Sequence, residues 1–107
     1  VYPYGAISVG QKGETLAEFG EMVGAGAVAF SDDGKPVESA HLMRTALEYA
    51  RTFGVPVAEH CEDMALGHGS MNEGRMSAKL GLKGIPSEAE EIDVIRCILL
   101  ARRTGGK

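Results

Sequence analysis

Three short apolar runs alternate along this chain with longer segments in which apolar residues recur at helical spacing. The runs are residues 1–9 (VYPYGAISV), 27–30 (AVAF) and 55–59 (VPVAE), and glycine or polar residues follow each of them. Runs of this length and composition are typical of buried strands. Because apolar and polar residues do not alternate within them, they predict a parallel sheet that is covered on both faces.

Two of the intervening segments predict amphipathic helices. Residues 15–23 and 36–53 each place their apolar side chains on one helical face, and Gly54 is a natural residue to end the second helix. Residues 64–85 are polar and rich in glycine and methionine, and their pattern is too weak to bound an element.

The last helix has the most clearly marked beginning. Ser87 and Glu90 fit a capping box, and Gly105 fits a terminator. The apolar face of this helix consists of Ile92, Ile95, Ile98 and Leu99.

The predicted order is therefore β-α-β-α-β-loop-α, which favours right-handed crossovers and a parallel sheet. The strands end near Val9, Asp33 and His60, at intervals of 24 and 27 residues, and a barrel of eight βα units averages about 31 residues per unit. Three consecutive units of such a barrel fit this pattern, and so does a small open α/β sheet. Spacing alone does not choose between them.

Composition narrows the classes of function. The chain carries 15 acidic and 11 basic residues, a formal net charge of −4, which argues against a nucleic-acid or anionic-membrane surface. No apolar run approaches the ~20 residues of a membrane span. With only two cysteines we expect a reducing, cytoplasmic environment. The first residue is not Met, and the chain begins and ends at element boundaries, so we expect part of a larger protein.

Two polar clusters follow predicted strands. Asp32-Asp33-Gly34 follows the second strand, and His60-Cys61-Glu62-Asp63 follows the third. Functional groups of parallel α/β proteins collect at the carboxyl ends of strands, and a carboxylate and an imidazole there can share a divalent metal such as zinc. Ordinary turn chemistry also explains the aspartates, and a structural hydrogen bond also explains the histidine. Glu62 and Asp63 could orient His60 or be solvated acids.

Longer stretches of sequence resemble dihydroorotases of the bacterial class I type. Residues 25–37 (AGAVAFSDDGKPV) are similar to the end of that family's fourth strand, and 60–63 (HCED) to the end of its fifth. Residues 71–86 resemble the loop and helix start that follow, and 3–7 (PYGAI) the third strand. The resemblance is collinear and covers nearly the whole chain.

The resemblance implies an α/β fold in which residues 1–107 are a partial domain. They would form three consecutive βα units, about strands 3–5, of a (β/α)₈ TIM-type amidohydrolase barrel. By analogy, Asp33 would be a carboxylate that bridges zinc ions, one or two being bound, and His60 would be a ligand. Asp32 and Glu62 are candidates to orient these ligands. The family's proton-transferring carboxylate is absent from this segment, so no catalytic residue is assigned here, and the substrate-binding residues stay unknown.

The implied activity is reversible, metal-assisted hydrolysis of the cyclic amide of dihydroorotate to N-carbamoyl-aspartate, in pyrimidine biosynthesis. Partners would be this small-molecule substrate and, in the assembled protein, a second copy or an aspartate transcarbamoylase. The alternatives are a non-catalytic dihydroorotase-like partner of aspartate transcarbamoylase, another cyclic amidohydrolase such as a hydantoinase or allantoinase, and a free-standing α/β binding domain. We expect the isolated chain to be inactive and poorly folded, because its parallel sheet has unpaired edges.

Overall fold

Short strands and longer helices alternate along the chain. The structure, a computed structural model, describes residues 1–107 and divides them into two units, Val1–His60 with Arg96–Lys107 and Cys61–Ile95. The helices are α1 (Phe19–Gly24), α2 (Ala40–Phe53), α3 (Arg75–Leu80) and α4 (Glu88–Thr104). The strands are β1 (Tyr4–Gly5), β2 (Ala29–Phe30), β3 (Met71–Asn72) and β4 (Gly84–Ile85), and Val9–Gln11 form a 3₁₀ turn.

Three parallel segments lie side by side in the first unit. Strands β1 and β2 pair in parallel with Gly5 opposite Phe30, and Phe30 forms a parallel bridge with Val57. The Phe30 N–H donates to the Pro56 carbonyl at 3.1 Å, and the Ala58 N–H donates to the Phe30 carbonyl at 2.8 Å. The predicted α/β class and the parallel direction of the strands are therefore confirmed.

The strands are shorter than the apolar runs predict. Run 1–9 contributes only two strand residues, because Ser8 turns away into an antiparallel bridge with Leu16. Run 55–59 contributes only the Val57 bridge. Pro56 lies on the side that pairs with β2 and has no N–H to donate, which limits the ladder at this position.

The core of the first unit lies between the strands and helices α1 and α2. The Phe19 and Phe30 rings stack at a centroid distance of 3.7 Å, and both side chains are fully buried. The predicted inner face of α2 is confirmed and consists of Leu42, Met43, Ala46, Leu47 and Ala50.

Helix α2 begins later than the pattern predicts and ends where it predicts. It begins at Ala40, because the Ser39 hydroxyl caps it by accepting the Leu42 N–H at 3.1 Å. Its end at Gly54 is confirmed, since that residue is left-handed with φ +71°.

The apolar face of α4 is exposed, although the sequence pattern suggests a buried face. Ile92, Ile95, Ile98 and Leu99 are about half exposed, at 49, 57, 60 and 48 %. The buried side of the helix instead carries small or polar residues, Ala89, Asp93 and Thr104. Cys97, Leu100 and Ala101 pack against the core of the first unit. No helix of the chain is both long enough and apolar enough to cross a membrane.

The second unit contains the stretch whose elements the sequence leaves undefined. Strands β3 and β4 pair in parallel, with Met71 opposite Gly84. A Cβ added at Gly84 would lie 2.5 Å from the Cα of Glu73, so the close approach of the two backbones requires glycine there. The buried Ser77 hydroxyl accepts the Gly74 N–H and closes the start of α3.

Gly5 allows β1 to approach the core closely, and its replacement provides a test of this packing. A Cβ at Gly5 would lie 2.7 Å from the Phe30 ring and 2.8 Å from the Met22 sulfur. Gly5→Ala is expected to lower the free energy of unfolding by about 1–3 kcal/mol through overpacking. The control is Gly24→Ala, where nothing lies within 4 Å of the added methyl group. Both variants are made in the intact protein that contains this chain, and equal unfolding midpoints in urea would contradict this packing.

Candidate functional site

The register of the parallel segments places the two predicted ligands, Asp33 and His60, at equivalent positions along neighbouring segments. Asp33 lies three residues beyond Phe30, and His60 lies three residues beyond Val57, the residue that Phe30 faces. Both side chains are exposed. A carboxylate and an imidazole thus follow adjacent parallel segments at their carboxyl ends, as expected from the sequence.

The backbone of Asp33 is left-handed. Its φ is +59°, which is uncommon for a residue other than glycine, although aspartate tolerates it better than most. The Asp33 N–H donates to the Ser31 hydroxyl at 3.0 Å. Conformations of this kind persist where the surroundings hold them, and they occur often at functional sites.

Asp32 has the opposite environment, because its carboxylate is buried and fully engaged. It is 2 % exposed, and its Oδ1 accepts the N–H groups of Ile7 and Ser8 at 2.8 and 3.1 Å. The Ser8 hydroxyl donates to Oδ2 and itself accepts the Gly13 N–H at 2.8 Å. Asp32 therefore ties the end of β2 to the chain that leaves β1.

His60 lies on the side of its segment that the helices leave open. Val57 and Glu59 line a cavity together with Met43 and Leu47 of α2 and with Cys97, Ile98 and Ala101 of α4. Because successive side chains of an extended segment point to opposite faces, Ala58 and His60 lie on the other face, where both are exposed. Coverage of the second face therefore differs between the segments, because in β2 both Ala29 and Phe30 are buried, whereas Ala58 and His60 are exposed.

Glu59, the residue before His60, makes a charged contact with Arg96 on the opposite face of this segment. Glu59 Oε1 accepts the Val37 N–H at 2.6 Å and lies 3.8 Å from the Arg96 guanidinium. Arg96 donates to the carbonyls of Glu38 and Val37 at 2.7 and 2.8 Å. The sequence pattern does not single out Glu59 or Arg96 as functional residues. One feature of the sequence could have indicated Glu59. It is an acid two residues after Val57, so in an extended segment it lies on the same helix-facing side as Val57, where a charged residue is unexpected.

The remaining candidates lie elsewhere. Asp63 accepts the Ala65 N–H at 2.9 Å in a local turn, and Glu62 is half-buried beside Gly67, both within the second unit. The two other histidines of the chain, His41 and His68, are exposed. Cys97 packs against the core.

The donor set fits zinc in kind and supplies part of a coordination shell. Carboxylate oxygen and imidazole nitrogen are both zinc ligands, and Asp33 and His60 are accessible at adjacent strand ends. No group of three or more His, Cys, Asp or Glu side chains in residues 1–107 is arranged to hold a metal ion. A tetrahedral site would therefore need ligands from outside this chain.

The fold defines an α/β protein in which Asp33 and His60 follow adjacent parallel segments. The family model described as "Dihydro-orotase-like" matches residues 1–107, and the chain belongs to this family. It is 58 % identical over 108 residues to the dihydroorotase of Anaeromyxobacter sp. (strain K). It is 61 % identical over 105 residues to that of Acetivibrio thermocellus and 60 % identical over 108 to that of Pelotomaculum thermopropionicum. These alignments cover 97–100 % of this chain and 25 % of each relative, so the chain spans about a quarter of their length.

The two adjacent aspartates are expected to respond differently to the same substitution. Asp32→Asn places an amide against the Ser8 hydroxyl and removes a buried charge from three donors, which should cost about 1–3 kcal/mol of stability. Asp33→Asn should change stability by less than about 0.5 kcal/mol, because the residue is exposed and Asn tolerates the left-handed backbone. Urea unfolding of the intact protein that contains this chain measures both changes, and equal costs would contradict the assignment of Asp32 as the buried anchor.

Proposed function

We propose that this chain is part of a zinc-dependent dihydroorotase and contributes about the third to fifth βα units of a (β/α)₈ barrel. Residues 1–107 would then be a partial domain that lacks units on both sides. The parallel order of the three segments supports this proposal, as does the position of Lys107. Its carbonyl accepts the Val57 N–H at 2.9 Å, on the side of Val57 away from β2, where a neighbouring strand would pair.

Within that barrel, Asp33 and His60 are proposed as metal ligands, with Asp33 placed to bridge where two ions are bound. The observation that carries this assignment is the shared register, in which both residues lie three positions beyond the Phe30–Val57 bridge. The exposed face that carries Ala58 and His60 is proposed to line the barrel interior. Asp32 is proposed to hold the Asp33 backbone in place, and Glu62 stays a candidate to orient a ligand.

The proposed reaction is reversible hydrolysis of the cyclic amide of dihydroorotate to N-carbamoyl-aspartate, in pyrimidine biosynthesis. When bound, zinc supplies Lewis-acid polarisation of a carbonyl and acidification of water. Asp33 offers a carboxylate oxygen as a ligand, and His60 offers an imidazole ring nitrogen. The proton-transferring group and most substrate contacts are proposed to come from outside residues 1–107.

The alternatives are a non-catalytic dihydroorotase-like partner of aspartate transcarbamoylase and another cyclic amidohydrolase of the hydantoinase or allantoinase type. Retention of both Asp33 and His60 favours the enzyme, because a protein without catalysis has no use for these ligands. Association with a second copy or with aspartate transcarbamoylase is compatible both with the enzyme and with the non-catalytic partner. The low cysteine content favours a cytoplasmic location.

Metal analysis of the intact protein that contains this chain tests the ligands. Asp33→Ala and His60→Ala should each lower the bound zinc per protein and abolish hydrolysis, because each removes one donor from the site. Glu48→Ala, an exposed acid on α2, is the control and should retain full zinc and activity. Full zinc occupancy in both ligand variants would overturn the assignment.

The 107-residue chain alone is expected to bind zinc weakly and to show no hydrolysis, since two donors leave a tetrahedral site incomplete. Zinc titration and a carbamoyl-aspartate cyclisation assay on the purified chain check this. Turnover by the isolated chain would show that the missing units are not required.

A further inference from the structure

We infer that Glu59 and Arg96 form a clamp that positions Asp33 relative to His60. The inference rests on the proposed function, because it concerns the two proposed metal ligands. Neither clamp residue is a candidate ligand, and neither is a catalytic residue. They act on the backbone of the segment that follows Asp33.

The clamp holds this segment by its main chain. Glu59 accepts the N–H of Val37, and the two terminal nitrogens of Arg96 donate to the carbonyls of Val37 and Glu38. All three hydrogen bonds are short, between 2.6 and 2.8 Å. Bonds to charged groups are about twice as strong as neutral ones, so these contacts restrain residues 37 and 38 firmly.

The position of Glu59 connects the clamp to His60. The two residues are neighbours in sequence and lie on opposite faces of the same segment, so the backbone that carries His60 also carries Glu59. A displacement of residues 37 and 38 relative to this segment would break the Val37–Glu59 bond. The clamp thereby ties the segment after Asp33 to the segment that ends at His60.

Asp33 is then restrained from both directions. On one side, the buried Asp32 is bonded to Ile7 and Ser8. On the other side, the clamp fixes Val37, whose side chain is also fully buried. The intervening residues, 33–36, include the left-handed Asp33, whose backbone conformation depends on such support.

Burial makes the clamp sensitive to conservative changes. The side chains of Glu59 and Arg96 are 6 and 22 % exposed. The planar guanidinium reaches two adjacent carbonyls at once, which a lysine ammonium cannot reproduce. Glutamine at position 59 would keep an acceptor for the Val37 N–H and lose the charge that faces Arg96.

The experiment uses the intact protein with Arg96→Lys and Glu59→Gln as clamp variants. Arg44→Lys and Glu48→Gln are matched controls, because this pair on α2 has the same chemistry with side chains 50 and 48 % exposed. Zinc affinity is measured by competition with a chelator, and amide exchange of residues 33–39 is measured on the metal-free protein. Changes behind metal ligands typically cost about 10- to 100-fold in affinity.

We expect Arg96→Lys to weaken zinc binding about 10- to 100-fold and to accelerate amide exchange in residues 33–39. Glu59→Gln should have a smaller effect in the same direction, and the controls should match the unmodified protein. If Arg96→Lys does not fold, Glu59→Gln decides the question. Zinc affinity within twofold of the unmodified protein in the clamp variants, or weaker affinity without faster exchange at 33–39, would overturn the clamp.

Asp33→Ala separates failure of the clamp from failure of the proposed function. Loss of zinc in Asp33→Ala with normal affinity in the clamp variants would overturn the clamp alone. Retention of zinc in Asp33→Ala would overturn the metal site itself, and the clamp's role in positioning it would be overturned with it.

Discussion

The buried carboxylate of Asp32 accepts two backbone N–H groups and a hydroxyl from the chain that leaves the first strand. Strands β1 and β2 contain only two residues each, so their own ladder offers few hydrogen bonds. Asp32 extends the connection beyond that ladder, to Ile7 and Ser8. Burial of a charge is costly unless donors compensate it, and here three donors do so. This contact therefore fixes the position of the residues that follow β2 relative to those that follow β1.

The exposed Asp33 follows directly from the buried Asp32. The carboxylate of Asp32 is buried and fixes the backbone, and Asp33, in a left-handed conformation, is exposed. Helices α1 and α2 cover the other side of the parallel segments, around the stacked Phe19 and Phe30 rings. The core and the charged contacts of Glu59 and Arg96 lie on one side of the segment that ends at His60, so the opposite, exposed side of this segment is available for chemistry.

The sequence is sufficient to predict the elements that depend on local pattern. For helix α2, the spacing of apolar residues predicts the buried face, and Gly54 predicts the end of the helix. The parallel order of the strands follows from their alternation with helices. The lengths of the strands are not predictable in this way, because the Pro56 and Ser8 contacts that shorten them depend on neighbouring segments.

The site is predictable only in part, for a similar reason. Both Asp32 and Asp33 are acids in a turn, and only the tertiary contacts with Ile7 and Ser8 distinguish the buried one. Glu59 and Arg96 are distant in sequence, so their proximity cannot be seen from spacing. In α4 the exposed isoleucines dominate the apolar pattern, whereas the small side chains of Ala89 and Ala101 allow the helix to pack closely on its other face.

The pairing of Asp33 with His60 at one metal centre is the central claim. Anomalous X-ray diffraction from crystals of the intact, zinc-loaded protein tests it most directly. The account predicts zinc at about 2.0–2.2 Å from both an Asp33 carboxylate oxygen and a His60 ring nitrogen. Fully occupied zinc bound by other side chains, with Asp33 and His60 both outside its coordination shell, would contradict it.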